Sequence, residues 1–429
     1  MSSAAAPDAS RHDPYAALRV PDFRRLISAR VCLVVATQIQ GVVVSWQMFK
    51  LTNDPLALGL IGLAEAIPSI VVSLYAGHVA DSVRRKNIIV AAVTLLLLCS
   101  VALWLLTQPV GSWLLAKDQL YTLPLYAVIF VSGVARGFLG PALFSFMPQL
   151  LPDRERLANA ITWNSTTWQA SAVLGPAVGG LLYAHLGIDV AYGVDVALMA
   201  LSLLLFASIA GRPLPVVEGE KPSLKESLLT GVQFIFQNQI VLAALSLDLF
   251  AVLFGGAVAL LPIFADKILH AGADGLGYLR AAPAVGSVLM AVLLTYFPLR
   301  RYAGRKLLWA VAGFGLATIG FALSTSFALS LFLLFLTGVF DSVSVIVRST
   351  LLHTFTPEHM KGRVSAVNNI FIGSSNEIGS FESGAAAKLM GVVPSVVFGG
   401  MITLVVVAVT ALRANQLRRL DLTPTSQKA

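Results

Sequence analysis

Residues 307–340 read LLWAVAGFGLATIGFALSTSFALSLFLLFLTGVF, a run of 34 positions without one charged side chain. A helix that crosses the hydrocarbon core of a bilayer needs about 20 predominantly apolar residues. The run is therefore too long for one span and predicts two spans joined by a short turn. Residues 87–116, 157–188 and 389–412 also lack charges, so membrane-spanning helices are predicted along most of the chain.

The composition of the whole chain points the same way. Of 429 residues only 12% are charged, against about a quarter in a soluble domain, and the mean hydropathy is +0.80. These values exclude a soluble globular enzyme. The two cysteines, Cys32 and Cys99, lie in separate apolar runs, which excludes a disulfide scaffold and a cysteine-ligated metal site.

The length sets the number of spans, because about 35 residues per span and connection gives about twelve spans. We predict an all-α integral membrane protein with twelve transmembrane helices in two six-helix bundles. The predicted spans are 27–49, 57–80, 88–107, 122–146, 159–184, 190–210, 240–265, 275–297, 307–325, 328–353, 364–389 and 394–412. The predicted divisions are a tail over 1–26, a first bundle over 27–211, a linker over 212–239, a second bundle over 240–412 and a tail over 413–429.

The linker and a weak internal sequence repeat support this division. Leu224, Leu228, Val232 and Phe236 recur every four residues in the linker, which predicts an amphipathic helix on the membrane surface. The sequence repeat lies around the fifth and eleventh spans, where corresponding residues are 205 to 206 positions apart. Its members are Pro152, Asp153, Ala160 and Asn164, matched by Pro357, Glu358, Ala366 and Asn369. This spacing favours a parallel duplication.

The distribution of basic residues predicts the orientation. Twenty-two of the 30 Lys and Arg residues fall in the tails and in alternate loops, whereas the other loops hold four and the spans hold four. Positively charged loops stay on the cytoplasmic side, so both termini are predicted to be cytoplasmic. Because the net charge of +8 follows from this topology, no nucleic-acid partner is expected.

Five charged residues lie deep in the predicted spans: Glu65, Arg136, Asp248, Asp341 and Glu377. A charge at the bilayer centre costs about 2.5–3.5 kcal/mol on insertion scales, so these side chains should line a wet cavity or pair with one another. Static ion pairs between helices are the alternative to a functional role. Because arginine does not release its proton, the proton-coupling candidates are Asp248 and Asp341, followed by Glu377 and Glu65.

A mixed set of cationic, aromatic and amide side chains is expected to line a substrate cavity. Its members are Arg30, Arg136, Arg348, Trp46, Gln47, Trp163, Asn164, Trp168 and Asn376. Aromatic faces and amides suit an amphiphilic ligand, although tryptophans also act as interfacial anchors. Another group of charges lies nearer the span ends, where long side chains reach the interface. It comprises Arg30, Asp195, Arg280, Arg348 and Glu382.

Two short motifs lie in the first bundle. The second span ends in Gly77-His-Val-Ala-Asp81-Ser-Val-Arg84-Arg85-Lys86, where the glycine permits close helix approach and the aspartate suits a helix N-terminus. A basic run that stops translocation is the alternative. The fifth span contains Gly175-Pro176-Ala-Val-Gly179-Gly180, for which plain small-residue packing is the alternative.

These motifs resemble the inner-loop signature and the exporter-associated motif of the major facilitator superfamily, and Arg136 is similar to its fourth-span arginine. A narrower resemblance, from about Val20 to Leu412, is to the enterobactin-exporter-like branch. It rests on Pro21-Asp-Phe-Arg-Arg-Leu, Leu279-Arg280-Ala-Ala-Pro283, Thr356-Pro357-Glu358 with Gly362-Arg363-Val364, and Ile372-Gly-Ser-Ser-Asn376-Glu377-Ile-Gly379. The sequence departs from the pattern at Ser82 and Arg84, where the superfamily has a basic residue and a glycine.

The resemblance implies a secondary transporter of the bacterial inner membrane. It implies export of a small amphiphilic siderophore, drug or metabolite by alternating access with proton antiport, without a cofactor beyond the proton motive force. The expected partners are the substrate, protons and lipid, and the expected state is a monomer. Proton-coupled import and a non-transporting receptor or membrane enzyme remain alternatives. An enzyme is not expected, because the histidines lie at span ends, in loops or in the tail.

Overall fold

The computed structural model describes residues 13–108, 122–153, 156–212, 224–297, 302–357, 360–418 and 420. Helices make up most of this part of the chain. They are α1 (Pro21–Thr52), α2 (Pro55–Ser82), α3 (Arg85–Thr107), α4 (Leu123–Phe146), α5 (Leu157–Ser208), α6 (Leu224–Gln237), α7 (Gln239–Phe254), α8 (Gly272–Tyr296), α9 (Ala303–Leu323), α10 (Phe327–Phe355), α11 (Lys361–Met390) and α12 (Val392–Arg413).

The helices account for twelve membrane spans. Among the described residues, ten helices are long and apolar enough to cross a bilayer. One of them, α5, holds two spans because Gly187 breaks it with a φ of 85°, a backbone conformation that glycine adopts without steric cost. Helix α11 falls outside the ten because it is polar, yet its 30 residues are long enough to cross. The predicted all-helical, twelve-span fold is confirmed.

The seventh span differs from its prediction as one helix over 240–265. Helix α7 ends at Phe254, and Gly255 and Gly256 leave helical geometry. Short 3₁₀ and π turns, Ala257–Leu260 and Phe264–Ile268, then continue the crossing. The glycine pair and Pro262 explain the break, because glycine favours non-helical backbone and proline removes a helix hydrogen bond.

The helices form two halves, α1–α5 and α7–α12, which meet through α2 against α11 and through the first arm of α5 against α8. Glycines permit both contacts. A Cβ on Gly384 would lie 2.8 Å from the Cα of Gly59, and one on Gly277 would lie 3.0 Å from the Cα of Gly180. Such small-residue contacts let two backbones approach closely.

The two ends of the bundle differ. We call the end that carries α6 and the tails the basic end, and the opposite end the far end. At the far end one apolar core contains residues of both halves, such as Trp46, Phe49, Phe264 and Leu279. Towards the basic end each half has its own core instead, around Phe23 and Phe146 in the first half and around Leu307 and Val347 in the second.

Charged contacts between the halves also lie at the far end. The Lys50 ammonium is 2.5 Å from the Asp266 carboxylate, and the Lys388 ammonium is 2.6 Å from that of Asp54. Each pair joins one half to the other. In this conformation the described part of the chain is therefore closed at the far end, while the cores of the two halves are separate at the basic end.

Candidate functional site

Four charged side chains from four helices meet near the middle of the bundle. Glu65 of α2 and Arg136 of α4 form an ion pair in which both side chains are partly exposed, 24% and 30% respectively. Pro68 lies one turn beyond Glu65 and interrupts the hydrogen bonding of α2. A Cβ on Gly133 of α4 would lie 2.7 Å from the Pro68 ring. The absence of a side chain at Gly133 thus allows α4 to bring Arg136 to Glu65.

Glu377 joins this pair from the second half. The Glu377 Oε2 atom would be 3.2 Å from a Cβ on Gly62, so its carboxylate lies against α2. Gly62 and Glu65 are one helical turn apart and share a face of α2. Glu377 accordingly lies within electrostatic range of Glu65, Arg136 and Arg280.

Arg280 completes the group, which we call the charge cluster: Glu65, Arg136, Arg280 and Glu377. Although Arg280 belongs to α8, its Nη1 atom would be 3.3 Å from a Cβ on Gly41 of α1. It interacts electrostatically with Glu65 and Glu377, and its buried Nε atom has no hydrogen-bond partner. Two cations and two carboxylates balance in charge, so each can remain within the membrane at lower cost.

A pocket adjoins the cluster within the first half. Its polar lining comes from Gln40, Glu65, Ser132 and Arg136. The apolar lining is provided by Val44, Ile61, Leu103, Val128 and Ile129, with Gly41 at the wall. A pocket with one charged side and one aliphatic side matches a molecule that has a polar and an apolar part.

Behind this pocket lies a buried carboxylate that sequence analysis placed near a span end. Asp195, in the second arm of α5, has 0% exposure. The amide of Gln40 donates to Asp195 Oδ2 at 3.4 Å and to Ser100 Oγ at 3.2 Å. Asp195 Oδ1 is buried and has no hydrogen-bond partner. Gln40 therefore connects the pocket to a second acidic site.

The two aspartates that sequence analysis ranked first lie elsewhere. Asp248 of α7 forms an ion pair with Arg348 of α10, and the two side chains are only 9% and 4% exposed. Asp341 of α10 is half-buried, and no ion pair or hydrogen bond is recorded for its carboxylate among the described residues. Of the four predicted candidates, two thus lie in the charge cluster and one lies in a buried pair. The fourth, Asp341, has no partner among the described residues.

The predicted aromatic and amide lining is dispersed. Trp46 packs at the far end in T-shaped contact with Phe49 and Tyr183. Gln47 is buried there and accepts a hydrogen bond from Tyr192 Oη at 2.7 Å. These two residues belong to the far-end core and do not line the pocket beside the cluster. Trp46 lies on a different side of α1 from the pocket-lining Gln40 and Val44, whereas Gln47 lies two turns beyond Gln40, towards the far end.

The lining residues predicted on α5 and α11 lie away from that pocket as well. Trp163 Nε1 donates to the Pro14 carbonyl at 2.9 Å and its ring packs against that of Tyr15 at a tilt of 34°, so it anchors the N-terminal segment. Trp168 is 52% exposed, and Asn164 Oδ1 is buried without a hydrogen-bond partner. Asn376 donates to its own helix at Ile372 O. Arg30 is half-buried in α1.

The described part of the loop motif binds helix ends. Arg84 precedes the first turn of α3. Arg85 donates to the Ser145 carbonyl at 2.9 Å, and Lys86 donates to the carbonyls of Ala207 and Ile209. Cations at the C-terminal ends of helices are favourable because they satisfy free carbonyls and oppose the helix dipole. The surroundings of Gly77 and the side chain of Asp81 lie outside the described part, so the contact of Asp81 with a helix N-terminus stays a prediction.

The glycine motif of α5 contacts two other helices. A Cβ on Gly175 would lie 2.5 Å from Gln38 Cβ of α1, and one on Gly179 would lie 3.0 Å from Ile39 Cα. Gly180 and the Pro176 carbonyl instead meet Gly277 of α8, across the boundary between the halves. One face of the motif therefore holds α5 inside the first half, and the adjacent face permits the contact between halves.

Comparisons with known proteins agree with this architecture. A curated relative, the enterobactin exporter EntS of Shigella boydii serotype 18, is 29% identical over 94% of both chains. EntS of Escherichia coli strain SMS-3-5 is also 29% identical, over 95% of both chains. These relatives are exporters and point to a transporter, not an enzyme.

Solved transporter structures share the fold. The chain is similar to the nucleoside transporter NupG, with a TM-score of 0.73 and 13% identity over 91% of this chain and 98% of that chain. It is also similar to a bacterial homologue of the iron transporter ferroportin in an inward-facing state, with a TM-score of 0.71 and 16% identity over 94% and 99%. The family model described as Major Facilitator Superfamily matches residues 26–380, and the chain is therefore a multi-pass membrane transporter belonging to that superfamily.

Proposed function

We propose that this protein exports small amphiphilic molecules by alternating access and that proton antiport drives the export. The observation that carries the proposal is the charge cluster, because it joins both halves beside a half-polar, half-apolar pocket. A group in this position responds both to the ligand and to the relative position of the halves. The named activity of the EntS relatives supports export of a siderophore-like or similarly amphiphilic compound.

The conformation supports a loading step from the basic end. On the orientation expected from the basic residues, this end and both termini face the cytoplasm of a bacterial inner membrane. A ligand then enters between the separate basic-end cores and reaches the pocket while the far-end ion pairs keep the other side closed. Release on the far side requires those pairs to break and the basic end to close.

Proton coupling requires a carboxylate that exchanges partners during the cycle. Arginine stays charged at physiological pH, so Arg136 and Arg280 act as fixed cations. Among the carboxylates, Glu377 fits best, because it belongs to the second half but lies against α2 of the first. Separation of α2 from α11 at the far end would remove Glu377 from Arg136 and change its surroundings. Asp341 is the next candidate, since none of the residues that the structure describes forms an ion pair or hydrogen bond with its carboxylate.

The proposal can be tested with purified protein in liposomes. A pH gradient should drive the movement of a fluorescent amphiphile, and Glu377→Gln should reduce the gradient-driven rate at least tenfold while substrate binding stays measurable. Glu382→Gln is the matched control, since Glu382 is a half-buried carboxylate on the same helix outside the cluster. Absence of gradient-driven movement in the parent protein would refute proton-coupled transport. Movement in the opposite direction under the same gradient would indicate import.

A further inference from the structure

The second half repeats the geometry that forms the Glu65–Arg136 pair. In the first half, Pro68 of α2 faces Gly133 of α4; in the second, Pro283 of α8 faces Gly338 of α10. A Cβ on Gly133 would lie 2.7 Å from Pro68 Cγ, and one on Gly338 would lie 2.7 Å from Pro283 Cα. In both helix pairs a proline therefore lies against a glycine, through its ring in the first half and through its backbone in the second, as expected of duplicated halves.

Charges occupy corresponding positions around these two contacts, but their signs are exchanged. Glu65 lies three residues before Pro68, and Arg280 lies three residues before Pro283. Arg136 lies three residues after Gly133, and Asp341 lies three residues after Gly338. The acidic and basic members of the first pair therefore correspond to a basic and an acidic residue in the second half.

Only the first of these two pairs is formed in the present conformation. Glu65 and Arg136 bind each other, whereas Arg280 reaches across the boundary to Gly41 and Glu65 and also interacts with Glu377 of its own half. Asp341 keeps no recorded partner among the described residues. The other two charges on α7 and α10, Asp248 and Arg348, are occupied with each other. Arg280 corresponds to Glu65 and Asp341 corresponds to Arg136. The bond between Glu65 and Arg136 therefore predicts that Arg280 can bind Asp341.

We propose that Arg280 changes partners during the transport cycle, binding Glu65 and Glu377 when the far end is closed and Asp341 when it is open. Closure brings α2 and α11 together and draws Arg280 into the first half. Opening carries α8 away from α1 and from Glu65, and Asp341, which has no recorded partner among the described residues, is then the carboxylate of the second half available to Arg280. Because the two halves correspond, Arg280 has a carboxylate to bind in each of the two conformations. This inference rests on the proposed transport cycle but not on the identity of the substrate.

The exchange predicts opposite effects on the two conformations. Asp341→Asn removes the carboxylate that Arg280 binds when the far end is open. The ratio of far-end-closed to far-end-open molecules should therefore rise about fivefold, a typical coupling between linked states. Glu65→Gln together with Glu377→Gln removes the carboxylates that Arg280 binds when the far end is closed, and it should lower that ratio. A ligand or charge shifts such an equilibrium only by its differential interaction with the two states.

Spin labels at the far end measure this ratio. Leu186 and Leu323 suit labelling, because they lie at the far end of different halves and are 59% and 65% exposed. The labels are introduced at cysteines after Cys32 and Cys99 have been replaced by alanine. Distance distributions are then compared for the parent, Asp341→Asn, the double glutamine variant and Glu382→Gln, which should match the parent.

A double-mutant cycle separates partner exchange from a general effect of Asp341. In an Arg280→Gln background, Asp341→Asn should cause no further shift, whereas in an Arg280→Lys background, which keeps a cation, it should still raise the closed fraction. An equal shift with and without a cation at position 280, or no shift in any background, would overturn the proposal. The spin-label measurement needs no substrate. The test of partner exchange is therefore independent of the transport assay in liposomes.

Discussion

Two arginine–carboxylate pairs lie within the membrane-spanning helices in the part of the chain that the structure describes, and they differ mainly in their surroundings. Arg136 and Glu65 are about a quarter exposed and face a pocket near the boundary between the halves. Arg348 and Asp248 are 4% and 9% exposed and lie among the core residues of the second half. The first pair has other charges beside it, whereas the second is enclosed by one bundle.

This difference in exposure indicates that the first pair can exchange partners during transport, whereas the second pair stabilises the fold of one bundle. A buried pair that loses one partner leaves an uncompensated charge, which is strongly destabilising. A pair beside water and further charges can lose a partner at lower cost, because solvent and neighbouring groups compensate. Mutations in the two pairs should therefore give opposite patterns of stability and transport.

The largest effect on stability is expected from Arg348→Ala. Because it leaves Asp248 buried and unpaired, the free energy of unfolding should fall by about 3–5 kcal/mol. Thermal unfolding of the purified protein in detergent measures the change. The double variant Asp248→Leu/Arg348→Met should recover most of the loss, since apolar residues of similar volume can replace a buried ion pair. A loss below about 1 kcal/mol for Arg348→Ala would show that the pair is not a structural element.

The opposite pattern is expected from Glu65→Gln. The variant removes one carboxylate from the charge cluster, so gradient-driven transport in liposomes should fall at least tenfold. Its unfolding free energy should change by about 1 kcal/mol or less, because the side chain is partly exposed. Normal transport by Glu65→Gln would exclude the Glu65–Arg136 pair from the mechanism. Equal losses of stability in Glu65→Gln and Arg348→Ala would remove the distinction between the pairs.

A smaller effect is expected from Gly41→Ala. The added methyl group would meet Arg280 Nη1 at 3.3 Å and should displace it slightly from the cluster. We expect transport to decrease about threefold, which corresponds to about 0.7 kcal/mol. Gly140→Ala is the matched control, because nothing lies within 4 Å of a Cβ there and both changes bring a similar gain in helix propensity. Equal transport in the two variants would place Arg280 outside the rate-limiting step.

The smallest effects are expected at the far-end ion pairs. Lys50 and Lys388 are about half exposed, and exposed ion pairs contribute about 0.2–1 kcal/mol each. Lys50→Gln and Lys388→Gln should therefore increase far-end opening modestly, measured as a longer distance between spin labels at positions 186 and 323. In 1 M salt the difference from the parent should disappear, because the screening length falls to about 3 Å. A difference that persists in high salt would require a contact other than charge.

The polar residues of α11 show what the sequence can establish. A helix with this many polar side chains must be covered by protein or water, and α11 contacts α2, α6 and α7. The chain length likewise predicted twelve spans, and the superfamily resemblance was confirmed. These features depend on composition and local order, which are visible without tertiary contacts.

The partners of the charged residues could not be predicted in this way. Arg280 and Asp195 were placed near span ends, yet Arg280 lies eight residues into α8, at about 12 Å of helix rise, and Asp195 is fully buried. The depth of a residue depends on where its helix begins, and its partner depends on helix rotation. A boundary error of a few residues changes both. The Asp248–Arg348 pair was missed for the same reason.

The attachment of Trp163 to the N-terminal segment gives the protein an optical reporter. The indole donates to the Pro14 carbonyl and its ring is 5.9 Å from that of Tyr15. Indole emission responds to hydrogen bonding and to water, so its wavelength and intensity should change when this segment leaves α5. The chain has six tryptophans, and replacing the other five with phenylalanine would leave a single emitter. Movement at the basic end could then be followed in real time without attaching a dye.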